Sequence, residues 1–320
     1  MHHDQRTTYT KAFSDYILLA LINSTIKDVS IKERVGYDVI EGIIKRGIEE
    51  NFDWEKIKKI DVIGVDEISI KKGHKDFVVI ITAFINGELR VLAVLKDRKK
   101  DTVKKFFLSI PKHLRKGVEA ICSDLYEGFI NAAKEVFGKK IRVVADRFHV
   151  AKLYRDGLDN IRKKEMKRLK EELPEEEYKK LKNVMWILRK SVSDLSDDEK
   201  QTLKLIFQYF PDLKLAYELR NDLTKIFDSD ITPGQAKRKI KGWMERVRNS
   251  GLTCFNSFLK TVSKWMTEIT NYFIGRNNSG FVEGLNNKIK VLKRRCYGIT
   301  NVTHLYQRIL LDTEGYSRFA

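Results

Sequence analysis

The change of residue pattern along the chain constrains the fold more than any other feature of the sequence. Runs rich in β-branched residues are confined to about residues 59–146, and helical spacing of apolar residues dominates on either side. The first three runs are KIDVIGVDEISI, DFVVIITAFI and ELRVLAVL, and Asn86-Gly87 between the second and third predicts a tight hairpin. Two further runs, EAICSD and IRVVAD, alternate with helical segments. This order predicts an α/β fold with a mixed sheet flanked by helices.

Two regions of the chain are predicted to be all-helical. Within residues 8–52, two short amphipathic segments joined by a turn at Gly36 form a helix-turn-helix pattern. Its second helix, about residues 38–48, would enter a DNA major groove, although a helical hairpin that touches no DNA is the alternative. Residues 151–272 are predicted to form a helical insertion long enough for a subdomain of its own. The aromatic residues in this insertion are predicted to be core rather than a platform for stacking bases.

The charge balance favours a polyanionic partner. Lys and Arg number 62 against 44 Asp and Glu, a net charge of +18, and nucleic acid is the commonest such partner. A soluble protein that is merely rich in charge is the alternative. The three cysteines, Cys122, Cys254 and Cys296, are too far apart to indicate a disulfide framework or a cysteine zinc site. With no signal core and no apolar run of spanning length, the chain is expected to be cytoplasmic, associated with the nucleoid and not with a membrane.

Acidic residues near strand ends are the candidates for catalysis. Asp66 lies in the first strand run and Asp124 follows the fourth, and these two strands can be neighbours in a mixed sheet of this order. Two carboxylates brought together repel unless a divalent cation holds them. A third carboxylate from a helix, Glu283, would complete an oxygen-rich site for two Mg²⁺ or Mn²⁺ ions, suited to in-line phosphoryl displacement. The alternative is that these acids cap turns or remain solvated. Of Asp66 and its neighbour Glu67, only one can face such a site.

Four blocks of sequence resemble those of the DDE transposases of the ISL3 insertion-sequence family. They are GVDEISIKKGHK, CSDLYEGF, ADRFHVAKL and NNSGFVEGLNNKIKVLKRRCYGITN, and their order and spacing match across residues 60–315. The resemblance implies an RNase H-like catalytic domain that a helical insertion interrupts before the last acid. It implies that Asp66, Asp124 and Glu283 are the catalytic and metal-binding acids, and it favours Asp66 over Glu67.

The resemblance also implies a domain organisation and an activity. Residues 1–55 would form a DNA-binding helix-turn-helix segment, 56–150 the first part of the catalytic core, 151–272 the insertion and 273–320 the C-terminal helices of the core. The activity would be metal-dependent strand cleavage and strand transfer on double-stranded DNA, at transposon ends and target, by a homo-oligomer. One departure concerns the N-terminus, MHHDQRTTYTK, which lacks the cysteines of the zinc ribbon that family members usually carry there. We therefore expect the chain to lack that ribbon.

Asp146 and His149 resemble a D-x-x-H signature found after the fifth strand in several DDE groups. His149 could contact DNA or the scissile phosphate. The alternative is that it hydrogen-bonds Asp146 and pins the strand to the following helix. We treat both residues as candidate auxiliary groups.

A basic run follows Glu283 and is predicted to bind DNA phosphates. Its members are Lys288, Lys290, Lys293, Arg294 and Arg295. Such contacts give sequence-independent affinity with strong salt dependence, whereas a solvated helix face is the alternative. Ser279 is predicted to cap the start of this helix, and Gly298 its end. Three functions compete with transposition: a truncated or domesticated DNA-binding protein without cleavage activity, an RNase H-like nuclease, and an RNA-binding protein that acts through charge alone.

Overall fold

The computed structural model describes residues 9–71, 75–276 and 280–320, and for residues 71, 75, 76 and 280–283 it describes the backbone but not the side chains. The chain divides into two compact units. The first unit comprises residues 1–143 and 279–320, and the second comprises residues 144–278. Residues 151–272, predicted as a helical insertion, therefore lie inside the second unit. No helix in the described ranges is long and apolar enough to cross a membrane.

The α/β fold predicted from the sequence is confirmed as a five-stranded mixed sheet in the order β3-β2-β1-β4-β5. The strands are β1 (Val62–Lys71), β2 (Lys75–Ile85), β3 (Glu88–Leu95), β4 (Ala120–Ser123) and β5 (Arg142–Ala145). β1 to β3 form an antiparallel meander, and β4 pairs with β1 in parallel. The predicted adjacency of the first and fourth strands is therefore correct. Three helices follow the meander within the first unit: α4 (Lys100–Ser109), α5 (Lys112–Gly117) and α6 (Glu127–Phe137).

The hairpin between β2 and β3 turns at the predicted residues. Asn86 and Gly87 are the only residues between the two strands, and their φ angles are +54° and +80°. A two-residue loop with two positive φ angles matches the right-handed twist of the strands, and Asn-Gly adopts it at little cost.

Both faces of the sheet are buried, as β2 shows best. Val78 and Ile80 belong to an apolar cluster that includes residues of the C-terminal helices, whereas Val79 and Ile81 are equally buried. Because successive side chains of a strand point to opposite faces, the second pair must be covered from the other side. A sheet with helices on both faces is the arrangement expected of an RNase H-like domain.

The N-terminal helices pack onto the end of the chain. They are α1 (Lys11–Leu21), α2 (Ile26–Glu33) and α3 (Tyr37–Gly47), and the C-terminal pair is α15 (Gly280–Arg295) and α16 (Val302–Phe319). The sequence pattern predicts a final helix over about residues 302–313, and α16 runs six residues further. Gly315 permits close packing on α1, because a Cβ at that position would lie 2.8 Å from Cδ1 of Ile22.

Buried polar side chains of α16 hold the N-terminal helices in place. Arg308 is 4% exposed and donates to the backbone carbonyls of Leu21 at 3.0 Å and Ser24 at 2.5 Å. Gln307 donates to the carbonyl of Ile48 at 2.9 Å. These bonds engage carbonyls at or just beyond the ends of α1 and α3, where helices leave acceptors without partners in the helix. The helix-turn-helix segment is thus joined to the rest of the first unit by specific hydrogen bonds as well as apolar packing.

The second unit is all-helical in its described part beyond β5 and has a core of its own. Its helices are α7 (Arg147–Glu172), α8 (Glu175–Lys179), α9 (Val184–Ile187), α10 (Asp197–Tyr209), α11 (Pro211–Asp228), α12 (Pro233–Asn249), α13 (Asn256–Lys264) and α14 (Met266–Thr270). Trp243 is buried edge-to-face against Phe255 and Phe258, and its indole N–H donates to the carbonyl of Leu219 at 2.7 Å. For these aromatic residues, the prediction of a core role is confirmed.

Candidate active site

Asp66 and Asp124 are brought to adjacent positions by the pairing of β1 with β4. The last residue pair of this parallel ladder is Val65 with Ser123, so Asp66 is the next residue of β1 and Asp124 is the first residue after β4. Neighbouring strands lie about 4.8 Å apart, so the backbones at these two acids are close. Asp66 is 8% exposed, and Asp124 is half-buried.

The loop after β4 is shaped around Asp124. Its Oδ1 accepts a hydrogen bond from the backbone N–H of Tyr126 at 3.2 Å, and its carbonyl accepts from the hydroxyl of Ser123 at 2.9 Å. Such a side-chain-to-backbone bond two residues on is typical of Asp in turns. A Cβ at position 128 would lie 2.5 Å from the Tyr126 ring, which explains a glycine there. The local sequence DLYEG thus holds the acid at the strand end.

Asp66 and Glu67 face opposite sides of the sheet. Asp66 accepts a hydrogen bond from the side-chain amide of Asn286 on α15. Glu67 instead pairs with Arg98 at 3.3 Å and is 22% exposed. The side of the sheet that Asp66 faces is therefore the side covered by α15.

Asn286 is a buried partner of Asp66 that sequence reasoning missed. It is 6% exposed, and its Oδ1 has no hydrogen-bond partner among the described residues although its amide nitrogen donates to Asp66. A buried acceptor without a partner is costly, and its position beside a buried carboxylate fits an additional group such as a cation or a cation-bound water. The only signal in the sequence was its spacing, three residues after Glu283 in a helix.

Glu283 lies in the first turn of α15, and its side chain is outside the described residues. Its backbone position shares a helix face with Asn286, because residues three apart in a helix are neighbours. Ser279, the predicted cap, lies outside the described residues altogether. Within the described side chains, no group of three or more His, Cys, Asp or Glu could hold a metal ion. The oxygen donors that are described, from Asp66, Asp124 and Asn286, fit a hard cation such as Mg²⁺.

The five basic residues after Glu283 fall into two groups. Lys290 and Arg294 are exposed and line a depression of about 520 Å³ together with Tyr297, which is 95% exposed. Lys293 lines the same depression but is half-buried: it donates to the carbonyl of Ser69, and burial lowers the pKa of its ammonium group.

Arg295 and Lys288 also bond to other residues of the first unit. Arg295 pairs with Asp312, whose side chain is 2% exposed, and donates to Asn23 Oδ1 at 3.1 Å. Lys288 donates to the backbone carbonyl of Asp312 at 2.5 Å. Asp312 further accepts from the backbone N–H of Asn23 at 3.1 Å, which links α16 to the end of α1. The side chains most available to a polyanion at this end of α15 are therefore Lys290 and Arg294.

The second predicted pair, Asp146 and His149, lies in the second unit. Asp146 caps α7 by accepting from the backbone N–H of Phe148 at 2.8 Å. His149 Nδ1 is 3.4 Å from Asp146 Oδ2, yet it makes no hydrogen bond within the described part of the chain. The two side chains are close, and a role in contacting DNA stays a prediction.

The exposed side of α3 is the predicted DNA-reading surface. Ile40, Ile43 and Ile44 anchor the helix in the core, while Tyr37 and Val39 are 49% and 39% exposed. Its charges are balanced, with Asp38 and Glu41 against Lys45 and Arg46. The same side borders a cavity of about 920 Å³ whose opposite wall is the loop between α15 and α16.

Comparison with known proteins agrees with this architecture. The family model for transposases of the DDE, ISL3 type matches residues 63–309. The transposase for insertion sequence element IS1001 of Bordetella parapertussis is 24% identical over 299 residues, covering 93% of this chain and 72% of the relative. The transposase for insertion sequence element IS1557 of Mycobacterium tuberculosis is 20% identical over 330 residues, covering 96% of this chain and 72% of the relative. The chain therefore belongs to the ISL3 family of DDE transposases.

Proposed function

We propose that this protein cleaves and rejoins DNA at the ends of its own insertion sequence, using Asp66, Asp124 and Glu283 to hold two divalent cations. The observation that carries the proposal is the register of β1 and β4, in which Asp66 and Asp124 each follow the last paired residues, Val65 and Ser123. The Oδ1 of Asn286, which has no hydrogen-bond partner among the described residues and lies beside Asp66, supports it further. Family membership supports a nucleic-acid-processing enzyme.

The residues of the chain have distinct roles in this proposal. Asp66, Asp124 and Glu283 would bind Mg²⁺ or Mn²⁺, and the ions would supply Lewis-acid stabilisation of the attacking and leaving oxygens of a phosphodiester. Asn286 holds Asp66 in orientation through its amide N–H. Lys290 and Arg294 would contact phosphates of the bound duplex. Because transposition requires two ends to be brought together, the active form is expected to be a dimer or a higher oligomer.

Strand cleavage of terminal-repeat DNA in Mg²⁺ or Mn²⁺ tests the proposal. Asp66→Asn and Asp124→Asn are expected to lose cleavage and keep binding to the duplex. Glu67→Gln is the matched control, because it removes a carboxylate one residue away that faces the other side of the sheet and pairs with Arg98. If Asp124→Asn cleaves as well as the wild type, the assignment of the acids is wrong.

The same assay separates the rival functions. A protein that binds a specific duplex without cleavage in any divalent cation would be a DNA-binding module. Cleavage of junctions or RNA–DNA hybrids with no preference for terminal-repeat DNA would indicate a structure-selective nuclease.

A further inference from the structure

The excess positive charge of the second unit is concentrated in one stretch. Residues 144–278 contain 28 Lys and Arg against 20 Asp and Glu. Eight of the basic residues, with Glu245 as the single acid, fall within residues 233–264, which span α12 and α13. This stretch therefore carries a net charge of +7 out of the +8 of the whole unit.

The fold of α12 arranges part of this charge along one side of the helix. Ala236, Ile240 and Val247 are buried and fix which face of the helix points inward. Lys237, Lys241 and Arg248 lie beside that face, at spacings of four and seven residues, and are exposed. They form the basic strip, the name used below for these three residues.

The basic strip is one wall of a groove of about 550 Å³. Ser263, Lys264 and Thr267, from α13 and the start of α14, line the groove as well. The remaining lining residues are Met244, Glu245 and Met266. The groove thus combines cations with hydroxyl donors, which is the combination that contacts phosphate oxygens in protein–DNA interfaces.

The basic strip forms no ion pair among the described residues, although Glu245 on the same helix also lines the groove. In the described ranges, no carboxylate lies within the 4.0 Å ion-pair distance of Lys237, Lys241 or Arg248, whereas Arg246 on the same helix pairs with Asp222 at 2.8 Å. The three cations outnumber the single acid of this side of the helix, Glu245, so a net repulsion among them remains. An external polyanion would relieve that repulsion, whereas an apolar partner would have to desolvate the charges.

We propose that this groove binds the sugar-phosphate backbone of duplex DNA, as a contact of the helical insertion that is separate from the one at α15. The inference rests on the proposed function, because it assumes that duplex DNA is the substrate. Eleven residues separate Lys237 from Arg248, about 16 Å along the helix at 1.5 Å per residue. That length corresponds to about five phosphates of one strand at 3.4 Å each along the duplex axis. The contact is independent of sequence, since phosphates carry no base information.

The test is the salt dependence of duplex binding by the full chain carrying Lys237→Gln, Lys241→Gln and Arg248→Gln. Binding is measured by fluorescence anisotropy without divalent cations, so that cleavage plays no part. Three lost phosphate contacts reduce the slope of log affinity against log salt by about 2.7. Raising the salt concentration from 50 to 200 mM is therefore expected to weaken DNA binding by the variant about 40-fold less than DNA binding by the wild type.

The control removes the same charge elsewhere on the unit. Lys179, Lys200 and Lys214 are exposed, and each lies beside an acid, at 2.8, 2.9 and 3.9 Å. Their triple replacement by Gln is expected to leave the slope close to that of the wild type.

Each outcome bears on one of the two proposals. An unchanged slope in the groove variant, or an equal change in the control variant, would overturn the groove proposal and leave the proposed function standing. A wild-type protein that binds no duplex DNA under any condition would overturn the proposed function itself. Thermal unfolding of all three proteins checks that the exposed replacements leave the fold intact.

Discussion

Replacing Asn286 by Asp tests whether the buried site beside Asp66 holds a cation. The replacement changes a hydrogen-bond donor to Asp66 into a second carboxylate of nearly the same shape. A hydrogen bond to a charged group contributes about 1.5–3 kcal/mol, and two like charges about 4 Å apart repel by about 4 kcal/mol at an effective dielectric constant of 20. Without divalent cations, the variant is therefore expected to be less stable by roughly 6 kcal/mol.

The assay is thermal unfolding with and without Mg²⁺. A loss of roughly 6 kcal/mol lowers Tm by about 12–24 °C in a unit of this size. Because a cation between the carboxylates replaces repulsion by attraction, Mg²⁺ at about 100 times its Kd is expected to return about 2.7 kcal/mol, or roughly 5–11 °C. That rise should exceed the rise that Mg²⁺ produces in the wild type.

Asn287→Asp is the matched control, because Asn287 is the next residue of the same helix and is exposed. It adds the same charge and is expected to change Tm little, with or without Mg²⁺. If Mg²⁺ raises the Tm of the Asn286→Asp variant no more than that of the wild type and the control, the added carboxylate does not share a cation with Asp66.

Three further predictions concern packing inside each unit. Asp312→Ala removes the buried partner of Arg295 and is expected to lower the free energy of unfolding, measured by chemical denaturation, by about 3–5 kcal/mol. A loss below about 1 kcal/mol would contradict a role of Asp312 in joining α16 to α1. In the same denaturation assay, Gly242→Ala should stabilise the protein by about 0.5–1 kcal/mol, since its Cβ meets nothing within 4 Å. Gly157→Ala should destabilise it, because its Cβ would lie 2.6 Å from a backbone carbonyl oxygen. Burial raises the pKa of Cys254 from 9.0 to about 11. At pH 8 its alkylation, followed by mass spectrometry, should therefore be about 100-fold slower than that of a thiol with a pKa of 9.0, and the rate should rise with pH until about 11.

The types of the structural elements could be predicted from the sequence, because local patterns govern them. Alternation and β-branching identified the five strands, and Asn86-Gly87 identified the hairpin, since its backbone conformation is a property of two residues. The end of α16 could not be predicted in the same way. Only the tertiary structure shows that the helix continues past Gly315, where the missing Cβ leaves room for Cδ1 of Ile22.

The composition of the site depended on contacts between residues far apart in the chain. Local patterns made Asp66, Asp124 and Glu283 candidates among many acids, and the family resemblance selected them. The parallel pairing of β1 with β4 makes Asp66 and Asp124 neighbours, and the packing of α15 on β1 brings Asn286 to Asp66 across 220 residues of sequence. Such contacts reflect the burial free energy of a whole unit, to which no local window of sequence gives access.

The basic residues of α15 likewise separate what the sequence determines from what the tertiary structure decides. From the sequence, Lys288 to Arg295 formed one cluster of equivalent cations, and their number and helical spacing were determined there. The tertiary structure separates exposed Lys290 and Arg294 from Lys293 and Arg295, which bond to groups of the same unit. The sequence determines the number of charges, but the structure decides which of them remain available to DNA. A cation that is already desolvated and paired inside the fold gains little from a phosphate outside it.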